Sequence, residues 1–237
     1  MTGRSDAYET HSFAIRTEVR YLLQVPPEPS DTAILALHGY AMSPEAMLRL
    51  VAPAFADGNH LIASLQGPYQ QYAVGGPGNG VAAYNWGIRQ HHADAVRIHH
   101  EIVNHVINDI GTRFGIPPRR CILLGFSQPV GLNYRFIGTH PDAAGGVIGV
   151  CGGIPKDWEE EGANYRLRFD TPILHISRDQ DEYFPNDIAH TFPTRLRSRA
   201  TNVEFQMLTG PHRYPSASKS IVRNWLARHF VDRERQP

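Results

Sequence analysis

Short, wholly apolar runs alternate along the chain with longer segments of helical spacing, and few folds accept that order. TAILALHG begins at Thr32, and HLIAS (60–64), CILLGF (121–126), GGVIGVCGG (145–153), TPILHIS (171–177) and NVEFQML (202–208) follow. A run of this length that is apolar on both alternate positions suits a strand covered on both faces, as in a parallel sheet. Between the runs, residues 92–114 place Val96, Val103, Ile107, Ile110 and Phe114 at helical spacing. Alternation of strand and helix predicts an α/β fold with a mostly parallel central sheet and helices on both faces.

The N-terminal part differs in pattern. Over residues 12–25 apolar side chains occupy alternate positions, with Arg16, Glu18, Arg20 and Gln24 between them, which predicts a half-buried antiparallel strand or hairpin opening the sheet. Successive prolines in PPEPSD then stop it, having no N–H to give to a ladder. No segment repeats and no linker composition divides the chain, so residues 1–237 read as a single domain. Residues 232–237 read as a charged, frayed tail.

Charge narrows the choice of partner. The chain carries 23 basic and 23 acidic residues, so no field of one sign draws it to nucleic acid or to an anionic membrane. A small-molecule partner fits better. The first residues hold no signal-peptide core and no apolar run is long enough to span a bilayer, so a cytoplasmic protein with no integral membrane association is expected. Cys121 and Cys151 both lie inside apolar runs and read as buried thiols.

One stretch fits neither period. Residues 66–90, QGPYQQYAVGGPGNGVAAYNWGIRQ, read as a long irregular loop, and loops of that length in compact domains are usually functional. Its Tyr69, Tyr84 and Trp86 are the candidate substrate-binding side chains, forming a wall of the site.

The run CILLGF leads into Ser127 and then VGLNYRFIGTH, a strand, a sharp turn and a helix. A serine on such a turn exposes its hydroxyl above the sheet, and the residue after it, Gln128, offers a backbone N–H to an oxyanion. Acyl transfer also needs a base and a carboxylate that orients it, in the order serine, acid, histidine for this arrangement. Both follow, each after a strand. Asp179 and Asp181 stand in RDQDEYFP, with Asp181 preferred for the proline four residues on, and His212 stands on the Gly-Pro turn of TGPHRYP. A second oxyanion donor is expected after an early strand, and in LALHGYAM the N–H of Tyr40 takes that place, with His38 a structural strand-end residue.

Two further patterns carry no site. His91, His92, His99, His100 and His105 do not recur at the i, i+4 spacing of metal ligands on a helix, so no metal is expected and a polar helix face accounts for them. GGPGNG lacks the lysine of a phosphate loop and does not join a strand to a helix.

In order and spacing LHGY, GFSQ, GGIP, DEYFP and GPH resemble the phospholipase/carboxylesterase family of α/β hydrolases, which includes acyl-protein thioesterases and small carboxylesterases. The resemblance covers about residues 31–230. It implies the α/β-hydrolase fold without a separate cap domain, a triad of Ser127, Asp181 and His212, no cofactor, and an ester or thioester substrate. A short or medium acyl ester is the leading expectation, with long acyl chains on protein or lysophospholipid, or transfer to an alcohol or amine, as alternatives. Two positions depart from the pattern: Pro129 replaces the last glycine of G-x-S-x-G, and GPH stands for the more usual GGH. The proline removes only its own N–H, which near a helix start has no partner, although it biases the backbone of Gln128. Ser127 is therefore expected to remain a nucleophile, and a ligand-binding protein without turnover is the competing expectation.

Overall fold

The computed structural model describes residues 9, 11–56, 58–73, 80–161 and 163–230. Each apolar run forms a strand: β2 (Ala33–Leu37), β3 (Leu61–Leu65), β6 (Cys121–Phe126), β7 (Gly146–Val150), β8 (Ile173–Arg178) and β9 (Val203–Leu208). They lie in one seven-stranded sheet of order β1-β3-β2-β6-β7-β8-β9, parallel throughout except for β1 (Tyr21–Gln24), which pairs antiparallel with β3.

Strand β2 shows why the runs are apolar at every position. Ala33, Leu35 and Leu37 face one core layer and Ile34 and Ala36 the other, and all five are fully buried. Helices α2 (His92–Phe114) and α3 (Val130–Thr139) cover the first layer. Helices α1 (Pro44–Phe55) and α6 (Ser218–His229) cover the second. Burying each leucine or isoleucine contributes about 1.5–3 kcal/mol relative to exposure. Two short helices, α4 (Asn186–Ala189) and α5 (Phe192–Arg197), lie between β8 and β9. Local signals set the helix ends. Ser43 caps α1 by accepting from the Ala46 N–H at 3.2 Å with Pro44 next to it, and Gly115, at φ 70°, closes α2 in the left-handed conformation.

Three sequence expectations need correction. The N-terminal strand is shorter than residues 12–25: among the described residues its ladder runs over Tyr21–Gln24, and Phe13 and Ile15 are 88% and 78% exposed. Alternation describes what a strand could bury, but β3 is only five residues long and its register with β1 is used up from Leu65 to Ile62. The stretch 66–90 is not one irregular loop. It holds an antiparallel hairpin of its own, β4 (Tyr69–Tyr72) with β5 (Ala82–Asn85), joined to the main body by the bridge of Met42 with Tyr84. YQQY and AAYN lack a strong apolar face, so pattern alone could not mark them. Residues 74–79 of that stretch, and the tail at 232–237, lie outside the described residues.

Nor do the histidines of α2 form one polar face. His99 shares the buried stripe of Ala95, Val103 and Val106, and its Nε2 lies 3.0 Å from Asn133 Oδ1 on α3. Burial pushes its pKa down to about 3. Cys121 and Cys151 are buried and free, and desolvation pushes both thiols up to about 12.

Candidate active site

Parallel strands put their carboxyl ends on one edge, and the loops that leave β2, β6, β8 and β9 therefore gather there. Ser127 follows β6 with φ 62°, a left-handed conformation that a non-glycine residue adopts at a cost of order 1–3 kcal/mol. Bonds on both sides hold it: its N–H donates to Val150 O at 2.8 Å, and its carbonyl accepts from the Val130 N–H at 3.2 Å. Close approach of α3 to the sheet explains two glycines nearby. A Cβ on Gly125 would meet Asn133 Nδ2 at 2.8 Å, and one on Gly152 would meet the Ser127 carbonyl oxygen at 2.7 Å.

Pro129 sits at the N-cap of α3, with φ −77° and ψ −7°. Its missing N–H removes no helical bond there, and its carbonyl accepts from the Asn133 N–H at 2.8 Å, opening the helix normally. The elbow is thus intact around the proline. Gln128 has a further task that no motif signals. Its side-chain Oε1 accepts from the Trp86 N–H and its Nε2 donates to the Gly87 carbonyl, both at 2.9 Å, tying the elbow to the segment after β5.

Loops after β8 and β9 bring up the other groups. His212 Nε2 lies 2.8 Å from Ser127 Oγ, and its Nδ1 lies 2.7 Å from Asp181 Oδ2. Asp181 is 4% exposed, and its other oxygen accepts from the N–H groups of Tyr183 and Phe184 at 2.9 and 3.0 Å. A carboxylate held this way donates nothing, so the contact assigns the proton to Nδ1 of the imidazole and leaves Nε2 to accept from the serine. Asp179 is turned elsewhere: its Oδ1 accepts from the Gly210 N–H at 2.8 Å and so shapes the histidine loop. Glu182, unmarked in the sequence, accepts from the His212 backbone N–H at 3.1 Å. The His212 ring packs edge-on against Tyr183 at 4.7 Å and tilted against Phe126 at 5.5 Å.

After β2, Tyr40 and Gly39 border the same cleft as Ser127 and Gln128. Among the described residues the backbone N–H groups of Tyr40 and Gln128 donate to no protein acceptor. His38 is fully buried beneath them. Its Nδ1 donates to the Gly39 carbonyl at 2.7 Å, its Nε2 accepts from the Gly67 N–H at 2.9 Å, and burial pushes its pKa down to about 4. It is a neutral brace for the turn.

The cleft measures about 880 Å³. Trp86 lines it and donates from its indole N–H to the His38 carbonyl at 2.9 Å. Tyr69 and Tyr84 are not among its lining residues, which corrects the expectation that the three aromatics form one wall. They belong to the hairpin behind that wall, where Asn85 accepts from the Gly87 N–H at 3.0 Å and sets the turn that presents Trp86. Sequence reading missed Gly131, Leu132 and Arg135 of α3, which also line the cleft. Helical spacing counted from the elbow would have found them. Among the described residues no cluster of three or more His, Cys, Asp or Glu is placed to hold a metal ion, and no helix is long and apolar enough to cross a membrane.

A mostly parallel sheet flanked on both faces, with a strained serine at a strand-to-helix turn and histidine and carboxylate on later loops, defines the α/β-hydrolase class. Within that class the chain belongs to the phospholipase/carboxylesterase family, whose sequence profile matches residues 22–230. Among solved structures it is similar to esterase PE8, with a TM-score of 0.73 at 17% identity over 90% of this chain and 100% of the other. The Bacillus cereus carboxylesterase has a TM-score of 0.69 at 12% identity over 90% and 95%, and a Mesorhizobium loti carboxylesterase 0.69 at 17% over 88% and 94%. No curated protein matches the sequence significantly.

Proposed function

We propose that the protein hydrolyses carboxylic esters through an acyl-enzyme on Ser127, acting as one catalytic unit without a cofactor. The observation that carries this reading is the continuous contact from Ser127 Oγ to His212 and on to Asp181, at 2.8 and 2.7 Å. His212 Nε2 takes the serine proton as Oγ attacks the acyl carbonyl, and Asp181 keeps the ring in the accepting tautomer and stabilises the imidazolium. The negative charge that develops on the carbonyl oxygen is received by the N–H groups of Tyr40 and Gln128. The imidazolium then gives its proton to the departing alcohol, and water, activated by the same nitrogen, releases the acid.

A short or medium acyl ester is the substrate class that the cleft supports, since Trp86, Leu132 and Ile154 give it an apolar lining. The test is hydrolysis of p-nitrophenyl acetate, butyrate and octanoate by the protein beside Ser127→Ala, with fluorophosphonate labelling of both. Turnover and labelling that vanish together in the variant are expected. A protein that neither turns over any ester nor takes the label is a binding protein on a hydrolase fold, and the reading fails.

A further inference from the structure

The cleft does not end in apolar surface. Beyond Gly131 and Leu132 its wall is made by Arg89 of the short 3-10 turn before α2, His92 at the start of α2, Arg135 of α3, and Lys156, Asp157 and Glu160 of the segment after β7. Charges here are not all answered. Arg135 is matched by a two-pronged pair, its two terminal nitrogens lying 2.8 and 2.6 Å from the Asp157 oxygens. Among the described residues Arg89 and Lys156 make no ion pair, and Glu160 makes none either. His92 adds a donor and no charge, because burial and the neighbouring Arg135 push its pKa below the usual histidine value. Two unpaired cations against one unpaired carboxylate leave this end of the cleft positive.

We propose that the acyl arm of the substrate ends in an anionic group, which Arg89 and Lys156 bind at the far end of the cleft. This deepens the esterase reading above and rests on it. Direction comes from the chemistry. The leaving alcohol must depart beside His212, which gives it a proton, and the ring of His212 is flanked by Tyr183 and Phe184. The retained arm is then the one that runs over α3. Along the helix, Arg135, whose partner Asp157 is the chain neighbour of Lys156, lies five residues beyond Val130, roughly 7.5 Å of helical rise. An arm with a stretch of methylenes against Trp86, Leu132 and Ile154 and a carboxylate at its end matches that sequence of walls.

The test compares p-nitrophenyl hexanoate with mono-p-nitrophenyl adipate, an acyl arm of the same carbon count that ends in a carboxylate. The quantity read is the ratio of their kcat/KM values. In the unsubstituted protein at low salt the adipoyl ester is favoured roughly five- to tenfold, as suits two partly solvated cations. Arg89→Gln with Lys156→Gln brings the ratio toward one, and so does high salt. Both side chains are exposed, so the double variant removes charge without opening the core. A ratio of one or less in the unsubstituted protein, or one that the double substitution leaves unchanged, overturns the proposal. So does a preference that follows an anion placed in the leaving group instead.

p-Nitrophenyl acetate, which has no arm to place, is run alongside. If none of the three esters is turned over, the esterase reading is what fails, and the arm site is then read by equilibrium binding to Ser127→Ala. Tighter binding of monomethyl adipate than of methyl hexanoate, lost on substituting Arg89 and Lys156, upholds the site; equal binding overturns it.

Discussion

Gln128 reaches back from the turn that carries Ser127 to the backbone of Trp86, its Oε1 accepting that residue's N–H at 2.9 Å while its Nε2 donates to the next carbonyl. One side chain therefore links the turn after β6 to the wall of the cleft. Gln128→Ala keeps the backbone N–H but leaves a part-buried donor and acceptor unpaired. We expect kcat/KM for p-nitrophenyl butyrate to fall at least about tenfold, and stability in urea to fall by about 1–3 kcal/mol. Turnover equal to the parent protein would show that the link is only structural.

Asp181 and Asp179 make a clean pair because they stand two residues apart and face different atoms. Asp181→Asn changes the tautomer available to His212, and kcat is expected to drop by about 10⁴. Asp179→Asn loses a charge-assisted bond to the Gly210 N–H and is expected to cost about tenfold, through looser placement of the histidine loop. Steady-state kinetics on both variants checks the order. Equal losses would mean that the two carboxylates share the role.

Pro129→Gly restores the more usual residue at the elbow. Because Pro129 occupies an N-cap with φ −77°, where no N–H is needed, turnover is expected to stay within about threefold. Stability should fall by about 0.4–1 kcal/mol, since glycine widens the unfolded ensemble. A large gain in kcat, on the order of a hundredfold, would instead show that the proline misaligns the Gln128 N–H.

Fully buried His38, His99 and His175 predict acid sensitivity of the fold. Burial lowers their pKa values to about 4, 3 and 3 from an ordinary 6.5. The unfolded chain binds these protons below 6.5 while the folded chain refuses them, so stability is full above that value and falls as pH drops toward 4. Each group contributes up to roughly 1.4 kcal/mol of loss per pH unit in that window. Urea melts between neutral pH and pH 5 are the measurement. A flat profile would show that compensating carboxylates dominate.

Most of the sheet was legible in the sequence because a strand buried on both faces must be apolar at every position, and such runs stand out against helices. That Ser127, Asp181 and His212 could meet was legible for a related reason: each residue follows a strand, and parallel strands deliver their loops to one edge. Where burial depends on a neighbour, the pattern failed. Residues 13–19 alternate like a strand, but among the described residues no strand pairs with them, and YQQY pairs with AAYN although neither is apolar. His99 looked polar and proved to be core because Asn133 of α3 lies opposite it.

Which of Asp179 and Asp181 lies against His212 also belonged to the tertiary structure, as did the clamp of Gln128 and the two cations beyond Leu132 that make no ion pair among the described residues. A sequence determines which residues can bury themselves and which can carry charge or a proton. Which carboxylate meets the imidazole, and which cation is answered by a carboxylate, is set by contacts between segments far apart in the chain, such as Asp181 with His212 and Arg135 with Asp157. Those contacts exist only once the chain has closed its loops around the packed sheet.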